Sequence, residues 1–332
     1  MNLLWKKYTF QLKINNMDNI LTIASSEIKS LFREKIVYSI TAVFVFMSLA
    51  STFISWSTYS TVNSVYRASV IFIKNHGVTN IPQNPFHLIP ALATFDNLIV
   101  YIILIGSLLG IIMGHRSIIR ERKSGVLQII FTRSTTHKEI ILGKILGLMA
   151  VLFGVVAVTA MVSTISTVFL PIQSFTFSDF AHLFLFFILS FLYMLFFTLV
   201  GFFFSIKSKS ESLALFIPLL IWVGITFILP ELATGLSPTA LLNPVTLLNI
   251  PLPTGVFIHL QSIISPISLG AHYTAISGDL LGSSFVHNRP IMEIIKNHWL
   301  HMITLLSGII LLAYLSFSQL KKFDSQKDNI NE

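Results

Sequence analysis

Read for its apolar and polar positions, the chain alternates long oily runs with short charged ones. Six runs are long enough, or nearly so, to cross a bilayer: Ile36 to Trp56, Leu98 to Ile118, Ile145 to Leu170, Phe180 to Ile206, Leu213 to Leu229 and Trp299 to Phe317. A hydrocarbon core of about 30 Å takes roughly 20 residues of α-helix. Membrane strands would instead leave alternating segments of about ten residues. The pattern predicts an all-α integral membrane protein with six transmembrane helices.

Before the first run, "NILTIASSEIKSLFREK" places Ile20, Ala24, Ile28 and Leu31 on one helical face, with Lys29 and Arg33 among the polar positions. That is the pattern of a helix lying in the membrane interface; a plain extension of the first span is the alternative. Residues 1–35 are thus expected to be an N-terminal segment with an interfacial amphipathic helix, 36–318 the membrane domain and 319–332 a tail. The second run carries Gly106, Gly110 and Gly114, a small-residue ridge that admits a close helix neighbour, within the protomer or across a dimer seam. Pro218 lies inside the fifth run and is expected to kink it or free a carbonyl.

Composition agrees: 54% of the 332 residues are apolar and 11% charged, whereas soluble domains carry about a quarter charged residues. Orientation follows from Lys and Arg, which membranes retain on the cytoplasmic side. All but four of the 22, namely Arg67, Lys74, Arg289 and Lys296, fall in one set of loops together with both termini. Both termini are therefore expected in the cytoplasm, and the loops 57–97 and 231–298 outside. Trp56, Tyr59 and Trp299 sit where an outer aromatic belt would be. Anionic lipid of the inner leaflet accounts for the net charge of +8 without any nucleic acid. The polar start of the chain lacks the apolar core and cleavage site of a signal peptide. With no Cys, disulfides and thiolate metal sites are excluded.

The second outer loop is almost uncharged and broken by Pro238, Pro244, Pro251, Pro253 and Pro266. Short helices dipping into the outer leaflet are expected, packed so that the broken backbone is satisfied. A seventh span within Val256 to Leu281 is the alternative, and it would put the tail outside.

Gradient-driven transporters place ionisable groups inside their spans. Here such groups are read only at span ends, as Asp96, Asp179 and Glu231. No G-x-x-x-x-G-K-[ST] loop occurs; "LGKIL" at Leu142 to Leu146 lacks the upstream Gly and the hydroxyl. There is likewise no H-E-x-x-H, no G-x-S-x-G and no pair of carboxylates in an apolar span, so the chain offers no catalytic residues. Of the outer histidines, only His298 and His301 have ligand-like spacing, and polar surface is the simpler reading.

What remains is "HRSIIRERKSGVLQIIFTRSTTHKEIILGK", His115 to Lys144, where charges mix with Ile118, Ile119, Val126, Leu127, Ile129 and Ile130. A short amphipathic helix broken near Gly125 would suit docking into another protein's groove. A basic loop touching lipid headgroups is the competing reading. Ser134, Thr135 or Thr136 can cap the helix that follows.

At these residues the chain resembles the ABC-2 type permeases, the membrane subunits of ATP-binding-cassette exporters. The family shows a basic-acidic run, a Gly, a short apolar helix and then a Gly-Lys pair opening the third span. Here those are Arg120, Glu121, Arg122, Gly125, the Val126 to Ile130 stretch, and Gly143 with Lys144. The chain departs from the usual Gly-Thr before Leu, reading Gly125-Val126-Leu127. Within the family it looks most like the branch with a long first outer loop and a Ser-Pro element, here Ser265-Pro266. That branch includes permeases of gliding motility and of copper-site maturation in nitrous oxide reductase.

The resemblance implies a type V exporter-like ABC-2 fold in the cytoplasmic (inner) membrane. It implies a partner ATPase, which alone binds ATP, docking on Arg120, Glu121, Arg122, Gly125, Val126, Leu127, Ile130 and Phe131. A second permease copy, identical or a paralogue, is implied as well, and the outer loops leave room for an extracytoplasmic accessory protein. The alternative function is a membrane scaffold or mechanical relay driven by the same kind of ATPase.

Overall fold

Between Ile36 and His76 the sequence contains neither Gly nor Pro, and nothing in it stops a helix once one has begun. The computed structural model describes residues 2–77, 80–84, 90–124, 136–168, 175–234, 255–264, 266–282 and 289–328. Over this region it shows a single helix, α2 (Ile36–Asn75), of 40 residues. Residues 57–75, expected in a loop, therefore continue the first span well past the length a bilayer needs.

Ahead of it runs α1 (Asn2–Arg33). The two join through Glu34 and Lys35, and Lys35 adopts the left-handed conformation at φ 60° that a two-residue reversal requires. Then follow α3 (Ala91–Lys123), α4 (His137–Val168), α5 (Phe177–Lys207) and α6 (Glu211–Leu232). Short α7 (Val256–Ile264) and α8 (Leu269–Leu281) precede the final α9 (Ile291–Asp328). No strand occurs among the described residues. Among the described residues six helices, α2 to α6 and α9, are long and apolar enough to cross a membrane. At 9 and 13 residues, α7 and α8 are each too short for a seventh span.

The hub is α5, against which α3, α4, α6, α8 and α9 all pack. Its most apolar stretch is 78% buried, against 11% for α9. Phe186, Tyr193, Phe197 and Phe202 are fully enclosed there. The glycine ridge of α3 meets α5 backbone to backbone, within the one protomer. A methyl at Gly114 would lie 2.0 Å from the Thr198 carbonyl oxygen, and one at Gly110 would lie 2.9 Å from that of Met194. The contact is reciprocal, since Gly201 of α5 would meet the Ile111 carbonyl at 2.3 Å. Gly106 faces the Phe44 ring of α2 and Met194.

Both α3 and α6 carry one widened π turn, at Ile102–Gly106 and Gly224–Ile228. Pro218 is accommodated inside α6 one turn or so before the second. Trp222 Nε1 donates to Ser107 Oγ at 2.6 Å and links the two helices beside these turns.

Beyond α6, α8 is the apolar segment that packs against the core. Tyr273 stacks on Tyr193 with centroids 4.5 Å apart, and its hydroxyl shares a 2.9 Å hydrogen bond with Ser190. The other Pro-broken residues, 235–254, lie outside the described residues.

Candidate functional site

The α1 stripe that the sequence marks by Ile20, Ala24, Ile28 and Leu31 contains a charge at its centre. Ala24, Glu27 and Leu31 stand at i, i+3 and i+7 and all are buried, and α1 packs along α4. What lets α1 come so close is a second small-residue pair, Gly143 and Gly147. Methyls there would strike Ile23 at 2.6 Å and Glu27 at 2.8 Å. Lys144 lies next to the first of these glycines, so it faces Glu27 across the helix pair.

Lys144 is 2% exposed, as is Glu27. Its ammonium donates to Glu27 Oε2 at 2.9 Å, to Glu121 Oε1 at 2.6 Å and to the Ser117 carbonyl at 3.2 Å, which uses all three N–H bonds. Arg120 adds a 3.0 Å bond from Nη2 to the same Glu27 oxygen, and its Nη1 lies 3.5 Å from Glu34 Oε1. Each of these charges costs several kcal/mol to withdraw from water, which only multiple partners offset. Three carboxylates against two cations leave the cluster with one net negative charge. Glu27 Oε1 and Glu121 Oε2 are buried and accept no hydrogen bond from the described residues.

Around this centre the ends of α3 and α4 are both pinned. Arg122 donates to the Ser205 and Ser208 carbonyls at 2.8 and 2.7 Å, capping the last turn of α5 with a cation where the helix dipole is negative. His115 Nδ1 shares a 2.9 Å bond with Ser205 Oγ. On the far side Thr136 and Glu139 cap the start of α4 reciprocally, and Asn19 of α1 donates to Glu139 at 3.2 Å. Lys123 pairs with Glu211 at 2.8 Å, but both are well exposed, so that bridge contributes little.

Of the residues singled out in sequence, Arg120, Glu121 and Arg122 are thus brought together with their side chains turned into the helix bundle. Gly125, Val126, Leu127, Ile130 and Phe131 lie outside the described residues. The described ends of α3 and α4 are the two anchors on which that stretch is mounted.

The profile of a family described as ABC-2 family transporter protein matches residues 21–322, and so spans α2 to α9 with the part of α1 that carries Glu27. The chain belongs to this family. No curated protein matches it.

In this ABC-2 permease, sequence reasoning passed over Glu27 and His115, and it singled out Lys144 only as half of the Gly-Lys pair opening the third span. It placed ionisable groups at span ends, whereas Lys144 stands in the apolar run Ile140 to Leu152, and His115 is buried in α3 at the end of its span. The available signals were Glu27 inside an otherwise apolar helical stripe and the Gly143-x-x-x-Gly147 spacing around Lys144.

The opposite end of the molecule gathers histidines that the sequence scatters. Asp279 of α8 accepts from Arg289 at 3.0 Å and from His298 of α9 at 2.9 Å. His272 bonds ring to ring with His301, and its Nε2 shares a 2.9 Å bond with the Pro266 carbonyl. His182 of α5 shares a 3.0 Å bond with the carbonyl of Arg289. Among the described residues no three His, Asp or Glu side chains are arranged to hold a metal. The grouping latches α8 onto α9 and α5.

Proposed function

We propose that this permease exports a substrate across the cytoplasmic membrane, driven by ATP hydrolysis in a separate cytoplasmic ATPase. The ATPase docks on the stretch between α3 and α4, and both termini share its side of the membrane. The observation that carries this reading is Lys144, which is buried and bonded at once to α1 through Glu27 and to α3 through Glu121. A lever needs a stiff mount and a bistable joint. The ion cluster offers the mount, because it ties three helices at the base of the stretch. It offers the joint as well: the free oxygens of Glu27 and Glu121 allow the cations to change partners without leaving a charge unpaired.

In this reading Val126, Leu127, Ile130 and Phe131 contact the ATPase, and Arg120, Glu121 and Arg122 pass its movement into the helices. ATP is bound by the partner alone, and two permease copies form the working unit. The test is co-purification of the cytoplasmic ATPase from native membranes with wild type and with the Val126→Asp, Leu127→Asp, Ile130→Asp triple variant. Loss of the ATPase from correctly folded variant protein supports the docking; undiminished recovery refutes it. Transport into sealed vesicles by the reconstituted pair then separates an exporter from a relay that moves no cargo.

A further inference from the structure

The first 21 residues of α2, Ile36 to Trp56, rise about 31 Å and fill a bilayer core. The remaining helix to Asn75 stands beyond it. Phe72, 16 residues past Trp56, lies about 24 Å further along the axis. One side of this stalk is covered by the returning chain: the Tyr66 hydroxyl donates to the Pro82 carbonyl at 2.9 Å, and Asn84 donates to Asn63 at 3.2 Å.

Among the described residues nothing covers the other side. Ile54, Thr58, Thr61, Val65, Ala68 and Phe72 follow one another at alternating steps of four and three residues, and every one is exposed. Val65 and Phe72 are 59% and 64% exposed. That spacing is the a/d seam of a coiled coil, apolar enough at Ile54, Val65 and Phe72 to demand cover. Lipid does not reach the upper half, because the headgroup layer ends far short of Phe72.

We infer that this seam pairs with the same seam of a second copy of the chain, as a short parallel coiled coil on the outer side of the membrane. The inference rests on the reading above, in which two permeases work together with this end outward. The flanking e and g positions, Val62, Ser69, Ser57, Ser64 and Ile71, carry no charge. Pairing identical chains therefore opposes no like charges. Arg67 and Lys74, the only Lys or Arg between 57 and 77, fall at the outward c position. Two Thr and one Ala make the seam weak in isolation, as suits helices already held side by side by the membrane, where effective concentration replaces intrinsic affinity.

The chain contains no Cys, so single substitutions report single positions. Val65→Cys, Ala68→Cys and, as control, Arg67→Cys are oxidised in intact membranes, and dimer mass and ATPase co-purification are measured on the same samples. A disulfide forms only where Cα atoms approach within about 7 Å, which the seam allows and the c position does not. The expected result is a disulfide-linked dimer of the chain at 65 and 68, with at least a tenfold lower yield at 67. Equal yields at all three positions, or a band joining the chain to a different protein, overturn the inference. So does the absence of links in a preparation shown to be dimeric, which leaves the permease reading standing. Loss of ATPase binding in wild type refutes that reading instead, whatever the links.

Discussion

Replacing Lys144 by Met keeps the length of the side chain and removes its charge from the centre of the ion cluster. Three hydrogen bonds are lost, to Glu27, Glu121 and Ser117. Glu27 retains Arg120 at 3.0 Å, so the group left without a cation is Glu121, whose carboxylate is 15% exposed. Breaking one side of a buried pair costs about 3–5 kcal/mol, and the partial compensation by Arg120 places Lys144→Met near the lower end, at about 3 kcal/mol. Glu121→Gln alone leaves Lys144 with Glu27 and costs about 1.5–3 kcal/mol, the range for hydrogen bonds to charged groups. The double variant contains neither orphan charge, so its cost is expected to fall about 2 kcal/mol short of the sum. Reversible unfolding in mixed detergent micelles, read by tryptophan fluorescence, measures all four corners of the cycle. Strict additivity, or a Lys144→Met protein within about 0.5 kcal/mol of wild type, would show that the cluster does not bind the three helices together.

Two further outcomes follow from close contacts and caps. Gly201→Ala should abolish stable folding, because its methyl would meet the Ile111 backbone at 2.3 Å, while Gly154→Ala, with open space around it, should stabilise by up to about 1 kcal/mol; folded yield in detergent distinguishes them. Arg122→Ala should speed amide hydrogen exchange in the last turn of α5, and Arg122→Lys should fail to restore it, since an ammonium cannot span the Ser205 and Ser208 carbonyls as the guanidinium fork does.

The six spans were legible because each is a long apolar run that only a helix can carry through lipid. Their lengths were not, because hydropathy marks what lies in oil and says nothing of where a helix stops. The end of α2 at Asn75 follows instead from the absence of Gly and Pro, a signal available throughout the polar stretch after Trp56. The glycine ridge of α3 was visible as spacing, but its partner on α5, Gly201, stands alone and repeats nothing. The ion cluster was half legible. Arg120, Glu121 and Arg122 stood out as charges in an oily chain, but their partners far along the sequence did not. Glu27 and Lys144 are 117 positions apart, and no local pattern couples residues at that distance.

Apolar packing would have joined α1, α3 and α4 as firmly as the ion cluster does, since well-packed hydrophobic replacements of buried ion pairs are often neutral or better. The cluster therefore needs a reason other than strength, and α4 suggests one. Its 32 residues form one rod of about 48 Å, with Lys144 near the beginning and Ser163 and Ser166 near the end. Those serines bond Ser48 at 2.7 Å and Thr52 at 3.1 Å, the last residues of α2 buried beneath the stalk. An axial shift of α4 must either break these bonds, in surroundings where Ser48 and Ser163 are fully enclosed, or carry α2 with it. The α3 and α5 backbones, locked glycine against carbonyl, have no comparable freedom. In the mechanism proposed above, movement begun where the cations exchange carboxylates is delivered along α4 to α2 at the opposite end, and α3 and α5 are the frame against which it is made.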